Sequence, residues 1–347
     1  MTDSNDLPRQ SKLSEQMERR KPPKKELEHT SSIVSTGSTL LDLAISGGVS
    51  KTGGLPGGIL VEVFGPTSTG KTVLLSEIAG GIQCRGGEVR FCDPEGRLNK
   101  QFALLFGLDI DTIEYSNPDT ISKVFEPIRN WKPDPLDNIP HGVFADSLTA
   151  LTTEMELEDK DMYGTRRAKE FSEQLRKVCR SLVDHNILLV CSNQVRQNIN
   201  AGPFEQKYYS PGGEAIGFYS SVRLRTSLRE RIKKERTVRG QKHSAITGVK
   251  IDVQVFKNSV WAPYHSAPVH IRFDYGIDDV SANLQYVKTN TGMKKYGVGD
   301  MDLYPSLDRS AAAVEDDKLE EQLRQETIQL WNEIEKAFST GRKKRRT

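Results

Sequence analysis

Gly65-Pro66-Thr67-Ser68-Thr69-Gly70-Lys71-Thr72 places two glycines, a lysine and a hydroxyl at the spacing of a phosphate-binding loop. Gly65 and Gly70 permit a backbone wrap that aims successive N–H groups at a β-phosphate, and the helix opening at Val73 adds its positive end. Lys71 supplies a point charge for the β- and γ-phosphates, and Thr72 a hydroxyl for Mg²⁺. The pattern carries weight only between a strand and a helix. Here Ile59–Phe64 reads as a strand and Val73–Ile82 as a helix, which argues against a fortuitous glycine-rich turn and for bound ATP with Mg²⁺.

Such a loop needs an acidic group for the metal-bound water and another to activate the attacking water. His141–Ala145 is an apolar run ending in Asp146, which reads as the metal-side carboxylate beside Thr72, although a strand-end Asp can also cap a helix. Glu95, in Cys92-Asp93-Pro94-Glu95-Gly96, reads as the general base, with Asp93 open as a turn former. Asn193-Gln194, at the end of Ile187–Cys191, puts an amide where a γ-phosphate is sensed and passed into the following loop; a plain polar strand end is the alternative.

The elements that position these residues alternate. Strand-like runs recur at Val89–Cys92, Val143–Ala145, Ile187–Cys191, Val222–Leu224, Val249–Phe256 and Val269–Phe273, with helical patterns between the early ones, notably Ala168–His185. Alternation predicts an α/β fold with a mainly parallel sheet flanked by helices, its last strands antiparallel. Ser38 before Leu40–Ile45 predicts a capped short helix. Residues 1–32 read as a charged N-terminal oligomerisation segment and linker, 33–275 as the ATPase core, and 276–347 as a small C-terminal region. That region holds an amphipathic helix over 318–338, with Leu319, Leu323, Leu330, Ile334 and Phe338 on one stripe, and a basic tail, Arg342 to Arg346. The tail is either solvated or a phosphate contact.

No apolar run approaches the roughly 20 residues of a membrane span, and the polar N-terminus has no secretory pattern, so a cytoplasmic protein with no membrane partner is expected. Four cysteines lack a CxxC pair, and three lie in or beside apolar stretches that read as core. A net charge of +2 leaves any nucleic-acid binding to local loops.

An ordered set of blocks resembles the RecA family of bacteria, phages and archaea. These are Ser35-Thr36-Gly37-Ser38, Gly54-Leu55-Pro56-Gly57-Gly58, the phosphate loop, Asp93-Pro94-Glu95, Asp146–Leu151, Asn193–Arg196, Gly212-Gly213, Phe218–Leu224 and Phe256-Lys257-Asn258, spanning roughly Ile33 to Tyr275. The resemblance implies a DNA-dependent ATPase that forms helical filaments on single-stranded DNA, pairs it with double-stranded DNA and exchanges strands. It further implies Glu95 as catalytic glutamate, Gln194 as γ-phosphate sensor, and Asn99 and Phe102 at the adenine. Single-strand-binding protein and loading factors are implied as further partners.

Two loops carry DNA in this family. The first matches about 154–167, with Met162, Tyr163, Arg166 and Arg167; the second about 196–213, with Arg196, Asn198, Phe204, Lys207, Tyr208, Tyr209, Gly212 and Gly213. Independently of family, 198–213 is long and mixes cations with aromatic rings, as single-strand binders do; a merely mobile surface loop is the alternative. The first stretch is less suited, because Glu154, Glu156, Glu158, Asp159 and Asp161 repel phosphate. Bacterial members of the family present two lysines to a neighbour's ATP. Lys257 matches the first, but Ser259 stands at the second, and a basic tail replaces an acidic one. A mediator that binds ATP and DNA without strand exchange, or a ring-forming helicase, is the alternative.

Overall fold

The computed structural model describes residues 32–47, 53–136, 138–154, 156, 165–197, 208–209 and 214–342. Its apolar runs form a nine-stranded sheet. The strands are Leu60–Gly65 (β1), Val89–Cys92 (β2), Glu114–Ser116 (β3), His141–Ala145 (β4), Ile187–Gln194 (β5), Val222–Val238 (β6), Gln241–Asn258 (β7), Ser266–Arg272 (β8) and Gly276–Ile277 (β9). They lie in the order β9-β8-β7-β6-β1-β5-β4-β2-β3. Pairing is parallel from β6 to β3 and antiparallel from β6 to β9.

The α-helices among the described residues are Thr39–Ser46 (α1), Lys71–Gln83 (α2), Lys100–Leu105 (α3), Ile121–Asn130 (α4), Thr165–Asp184 (α5), Glu214–Tyr219 (α6), Asp279–Thr291 (α7), Leu307–Asp316 (α8) and Glu320–Ala337 (α9), and three two-stranded pairings lie outside the main sheet. The expected cap of α1 is present, with Ser38 Oγ accepting from Leu41 N at 3.4 Å.

The central strands are apolar on both faces because both are covered. Val61, Val63, Phe144, Leu188 and Val190 share one core with Leu74, Leu75, Ile78 and Ile82 of α2. Their strand neighbours Leu60, Val143, Leu189 and Cys191 point the other way, into a second core with Val124 and Phe125 of α4 and Phe171 and Leu175 of α5. A third, smaller core gathers Leu284, Val287, Tyr296, Val298, Val314 and Leu323 from the C-terminal segment.

Three expectations need correction. First, Val222–Leu224 and Val249–Phe256 are not separate short strands but the bases of one hairpin, paired from Val222↔Asn258 out to Val238↔Gln241. Beyond Leu228 the hairpin is mostly exposed and polar, with Ile232, Val238 and Ile246 too scattered to mark an alternation; Arg239 and Gly240, both at positive φ, turn it. Second, α9 ends at Ala337, and Phe338 is 84% exposed. Its buried stripe is Leu323, Thr327, Ile328 and Trp331, because Trp331 packs against His265 and Tyr286. Third, only Cys92 and Cys191 are buried; Cys179 is half-buried and Cys84 exposed. Among the described residues no helix is long and apolar enough to cross a membrane.

Candidate active site

Four parallel strands deliver the chemistry to one sheet edge. β1 ends at Gly65, β5 at Gln194, β4 one residue before Asp146, and β2 three before Glu95. This carboxyl edge is where open α/β sheets bind ligands.

The loop is fastened from behind. A Cβ on Gly65 would stand 2.3 Å from Thr226 Oγ1 of β6, so only glycine fits there. Thr69 Oγ1 donates to the Pro66 carbonyl at 2.8 Å and meets Thr226 Oγ1 at 2.7 Å. Gly70 enters α2 at φ 77°. Pro66, Thr67 and Ser68 are exposed, and Val73 is buried. Lys71 Nζ donates to the carbonyls of Gly65 (3.1 Å) and Pro66 (2.6 Å). Burial lowers its pKa, against the opposing pull of the Asp146 and Glu95 charges.

Thr72 Oγ1 donates to Asp146 Oδ2 at 2.6 Å, and Ser192 Oγ donates to the other carboxylate oxygen. Burial pushes the Asp146 carboxyl up, and those two hydroxyls pull it down. A hydroxyl and a carboxylate side by side at the head of α2 suit Mg²⁺, which takes oxygen ligands and keeps part of its water. The residues present therefore fit a magnesium nucleotide.

Glu95 faces the same edge. Its Oε1 accepts from Ser147 Oγ at 2.9 Å and from Gln194 Nε2 at 3.5 Å, while Arg97 Nη1 lies 2.6 Å from Oε2. Asp93 is the turn former: buried, it accepts from Leu98 N (2.7 Å) and the Tyr115 hydroxyl (2.8 Å). Asn193 does not face the site. It is fully buried, donating to Glu62 Oε1 at 3.1 Å and accepting from Thr149 Oγ1 at 2.8 Å. Of these two amides, that of Gln194 meets Glu95 at the edge.

The RecA N-terminal domain family matches residues 21–278. The chain belongs to the RecA family. It is similar to Protein RecA of Acholeplasma laidlawii (strain PG-8A), with 30% identity over 323 residues, 90% of this chain and 88% of that one. It is also similar to Protein RecA of Staphylococcus aureus (strain JH9), at 33% over 248 residues, 71% and 67% of the two chains. As a RecA-family protein it is an ATP-dependent recombinase and DNA-dependent ATPase that uses ATP with Mg²⁺, binds DNA and forms filaments.

The remaining predicted residues fall in several places. Asn99 caps α3, its Oδ1 accepting from Gln101 N (2.8 Å) and Phe102 N (3.3 Å). Phe102 is 38% exposed and stands edge-on to Phe106. Lys257 Nζ donates to the carbonyls of Gly217 (3.0 Å) and Phe218 (2.9 Å), with Ser259 exposed nearby. In register Lys257 pairs with Arg223, and Arg223 with Glu62, so Lys257 is level with β1 well before the phosphate loop.

Arg196 pairs with Tyr209, and Gln197 with Tyr208, at the two ends of the segment expected as the second DNA loop. Met162, Tyr163, Asn198, Phe204, Lys207, Gly212 and Gly213 lie outside the described residues. Arg166 is half-buried at the start of α5. Arg167 turns inward, where Nη2 donates to the carbonyls of Leu148 (2.9 Å) and Thr149 (2.5 Å). There its guanidinium fastens the turn after Asp146.

Sequence reasoning passed over Ser147, Ser192, Arg97 and Thr226. The two serines flank residues already singled out: Ser147 follows the strand-end acid Asp146, a signal that could have found it, and Ser192 precedes Asn193. Thr226 gives none, since only the β6–β1 pairing brings it to the loop.

Proposed function

We propose that this chain polymerises on single-stranded DNA and catalyses homologous pairing and strand exchange, with ATP turned over at subunit boundaries. The observation that carries the reading is the meeting of Gln194 and Glu95 at the carboxyl edge, which ties a strand leading into a DNA loop to the group suited to activate water. In this reading the phosphate loop, Lys71 and Thr72 hold the triphosphate, and Thr72 with Asp146 would hold Mg²⁺, which would supply Lewis acidity to the phosphates. Glu95 takes the proton of the attacking water, and Gln194 registers the γ-phosphate. Asn99 and Phe102, on exposed α3, serve the adenine.

Lys257 serves a neighbour's triphosphate. Its register level, away from its own phosphate loop, supports that assignment. DNA runs along Arg166 and the loop that Arg196 and Tyr209 open, with Met162, Tyr163, Asn198, Phe204, Lys207, Tyr208, Gly212 and Gly213 as further contacts. Residues 1–32 serve oligomerisation, 33–275 the ATPase and 276–347 a C-terminal unit; the protein works in the cytoplasm with single-strand-binding protein and loading factors.

The exposed Ser259, in place of a second interface cation, favours one other reading: a mediator that assembles without exchanging strands. Strand exchange between circular single-stranded and linear double-stranded DNA separates the two, alongside negative-stain microscopy with an ATP analogue. Filaments with joint molecules support the proposal; filaments that never yield joint molecules favour the mediator, and rings contradict both.

A further inference from the structure

An acidic side chain sits in the middle of the sheet where the phosphate-site chemistry does not use it. Glu62 of β1 is fully buried between two strands of unlike duty. Towards β6, its Oε2 lies 2.6 Å from Arg223 Nε. Towards β5, its Oε1 accepts from Asn193 Nδ2 at 3.1 Å. Asn193 in turn accepts from Thr149 Oγ1 at 2.8 Å, and Thr149 Oγ1 accepts the backbone N–H of Gln194 at 3.2 Å. The sensor residue is thus held through a chain of polar contacts that leads back to Arg223.

The other end of the chain is equally tight. The Arg223 guanidinium lies over Phe64, 4.6 Å from the ring centroid, and 5.6 Å from that of Phe256. A Cβ on Gly217 would come 3.0 Å from Arg223 Nη1, so the guanidinium is packed directly against the backbone whose carbonyls at Gly217 and Phe218 receive Lys257 Nζ. A buried ion pair is a poor way merely to add stability, because apolar residues of the same volume often do as well. What it supplies is direction: each group has one geometry in which all its partners are met.

We infer that Glu62, Arg223, Asn193 and Thr149 are positioning residues that fix Gln194 and link it, within one subunit, to the backbone holding Lys257. The inference rests on the reading of Gln194 as γ-phosphate sensor. It extends that reading: a neighbour's triphosphate drawing Lys257 off the Gly217 and Phe218 carbonyls releases the strip against Arg223, and the subunit's own sensor feels it.

The test compares Glu62→Gln/Arg223→Met, which removes both charges together, with Thr149→Val, Thr149→Ser and Gln194→Ala. For each, nucleotide affinity, thermal midpoint, and the gain in single-stranded DNA affinity between ADP and a non-hydrolysable ATP analogue are measured. The double variant and Thr149→Val are expected to bind nucleotide within about two-fold of wild type but to lose at least ten-fold of the ATP-dependent gain. Thr149→Ser, which keeps the hydroxyl, restores it. If the double variant does not fold, the Thr149 pair decides. A gain retained in Thr149→Val but lost in Gln194→Ala overturns the relay and leaves the sensor standing. A gain retained in Gln194→Ala overturns both.

Discussion

Gln194 Nε2 lies 3.5 Å from Glu95 Oε1, so the last residue of β5 touches the carboxylate beyond the end of β2 with the whole of β4 between their strands. Ser147, the residue after Asp146, closes the gap by donating to the same oxygen at 2.9 Å. Gln194, the residue after Asp146 and Glu95 are therefore one hydrogen-bonded unit.

Lys71→Ala and Glu95→Gln should separate binding from chemistry. Lys71 offers a charge to the ground-state phosphates, so its loss is expected to weaken ATP binding by about 10- to 100-fold. Glu95 matters when water attacks, so Glu95→Gln is expected to bind ATP normally and turn over about 10²- to 10⁴-fold more slowly. Titration calorimetry and steady-state hydrolysis on both variants check this; wild-type turnover by Glu95→Gln removes it from the mechanism.

Arg97 engages the oxygen of Glu95 that Ser147 leaves open, yet its own side chain is 78% exposed. A guanidinium there occupies an oxygen that an attacking water would otherwise approach, while an exposed pair is worth at most about 1 kcal/mol. Arg97→Ala is accordingly expected to raise DNA-independent turnover by about two- to five-fold with KM for ATP unchanged. A fall in turnover shows that Arg97 helps rather than restrains the base.

Thr226→Val tests the fastening of the phosphate loop from behind. It removes the hydroxyl–hydroxyl contact with Thr69 and a long 3.5 Å contact with the Phe64 carbonyl, and keeps the shape. A net hydrogen bond of about 1 kcal/mol predicts a roughly five-fold loss of ATP affinity, with Thr226→Ser close to wild type. Equal affinity for Val and Ser variants would show that the Thr69 contact to Pro66 suffices.

Glu77, on α2, predicts a pH dependence of stability. Burial pushes its carboxyl up from 4.5 to about 7, against the lowering effect of the Ile277 N–H it accepts at 3.0 Å. The folded state therefore holds this proton more tightly than the unfolded chain. Its contribution is fully present below pH 4.5 and is lost as pH rises through about 7, by roughly 3 kcal/mol at most. Glu77→Gln is expected to flatten that decline and to melt above wild type at pH 8. Parallel stability curves from pH 5 to 8 contradict the assignment.

Much of the site was legible because its residues are local to their motifs. The phosphate loop carries its own spacing, and Asp146, Glu95 and Gln194 each follow an apolar run whose end is visible in the chain. Contacts made only by strand order were not. Glu62 interrupts Ile59–Phe64 as a lone acid, and nothing local shows that Arg223 and Asn193, 161 and 131 residues away, flank it. The outer hairpin escaped notice because Arg229 to Ile246 are mostly charged and polar, their few apolar residues too scattered to give a period-two signal. The contacts of Arg167 with the carbonyls of Leu148 and Thr149 were equally hidden, because no local pattern brings α5 to that turn.

The central claim is that each ATP site is completed by a neighbour, and mixing two inactive variants tests it most directly. Glu95→Gln lacks the base but presents Lys257; Lys257→Ala lacks the cation but keeps Glu95. Each alone is expected to show little single-stranded-DNA-stimulated hydrolysis. In co-filaments, a Glu95-intact site that faces a Lys257-intact neighbour regains both groups, so the mixture is predicted to hydrolyse ATP faster than either variant alone, with the maximum near equal proportions. Verified co-filaments no more active than the better of the two variants, at every ratio, would contradict the shared site.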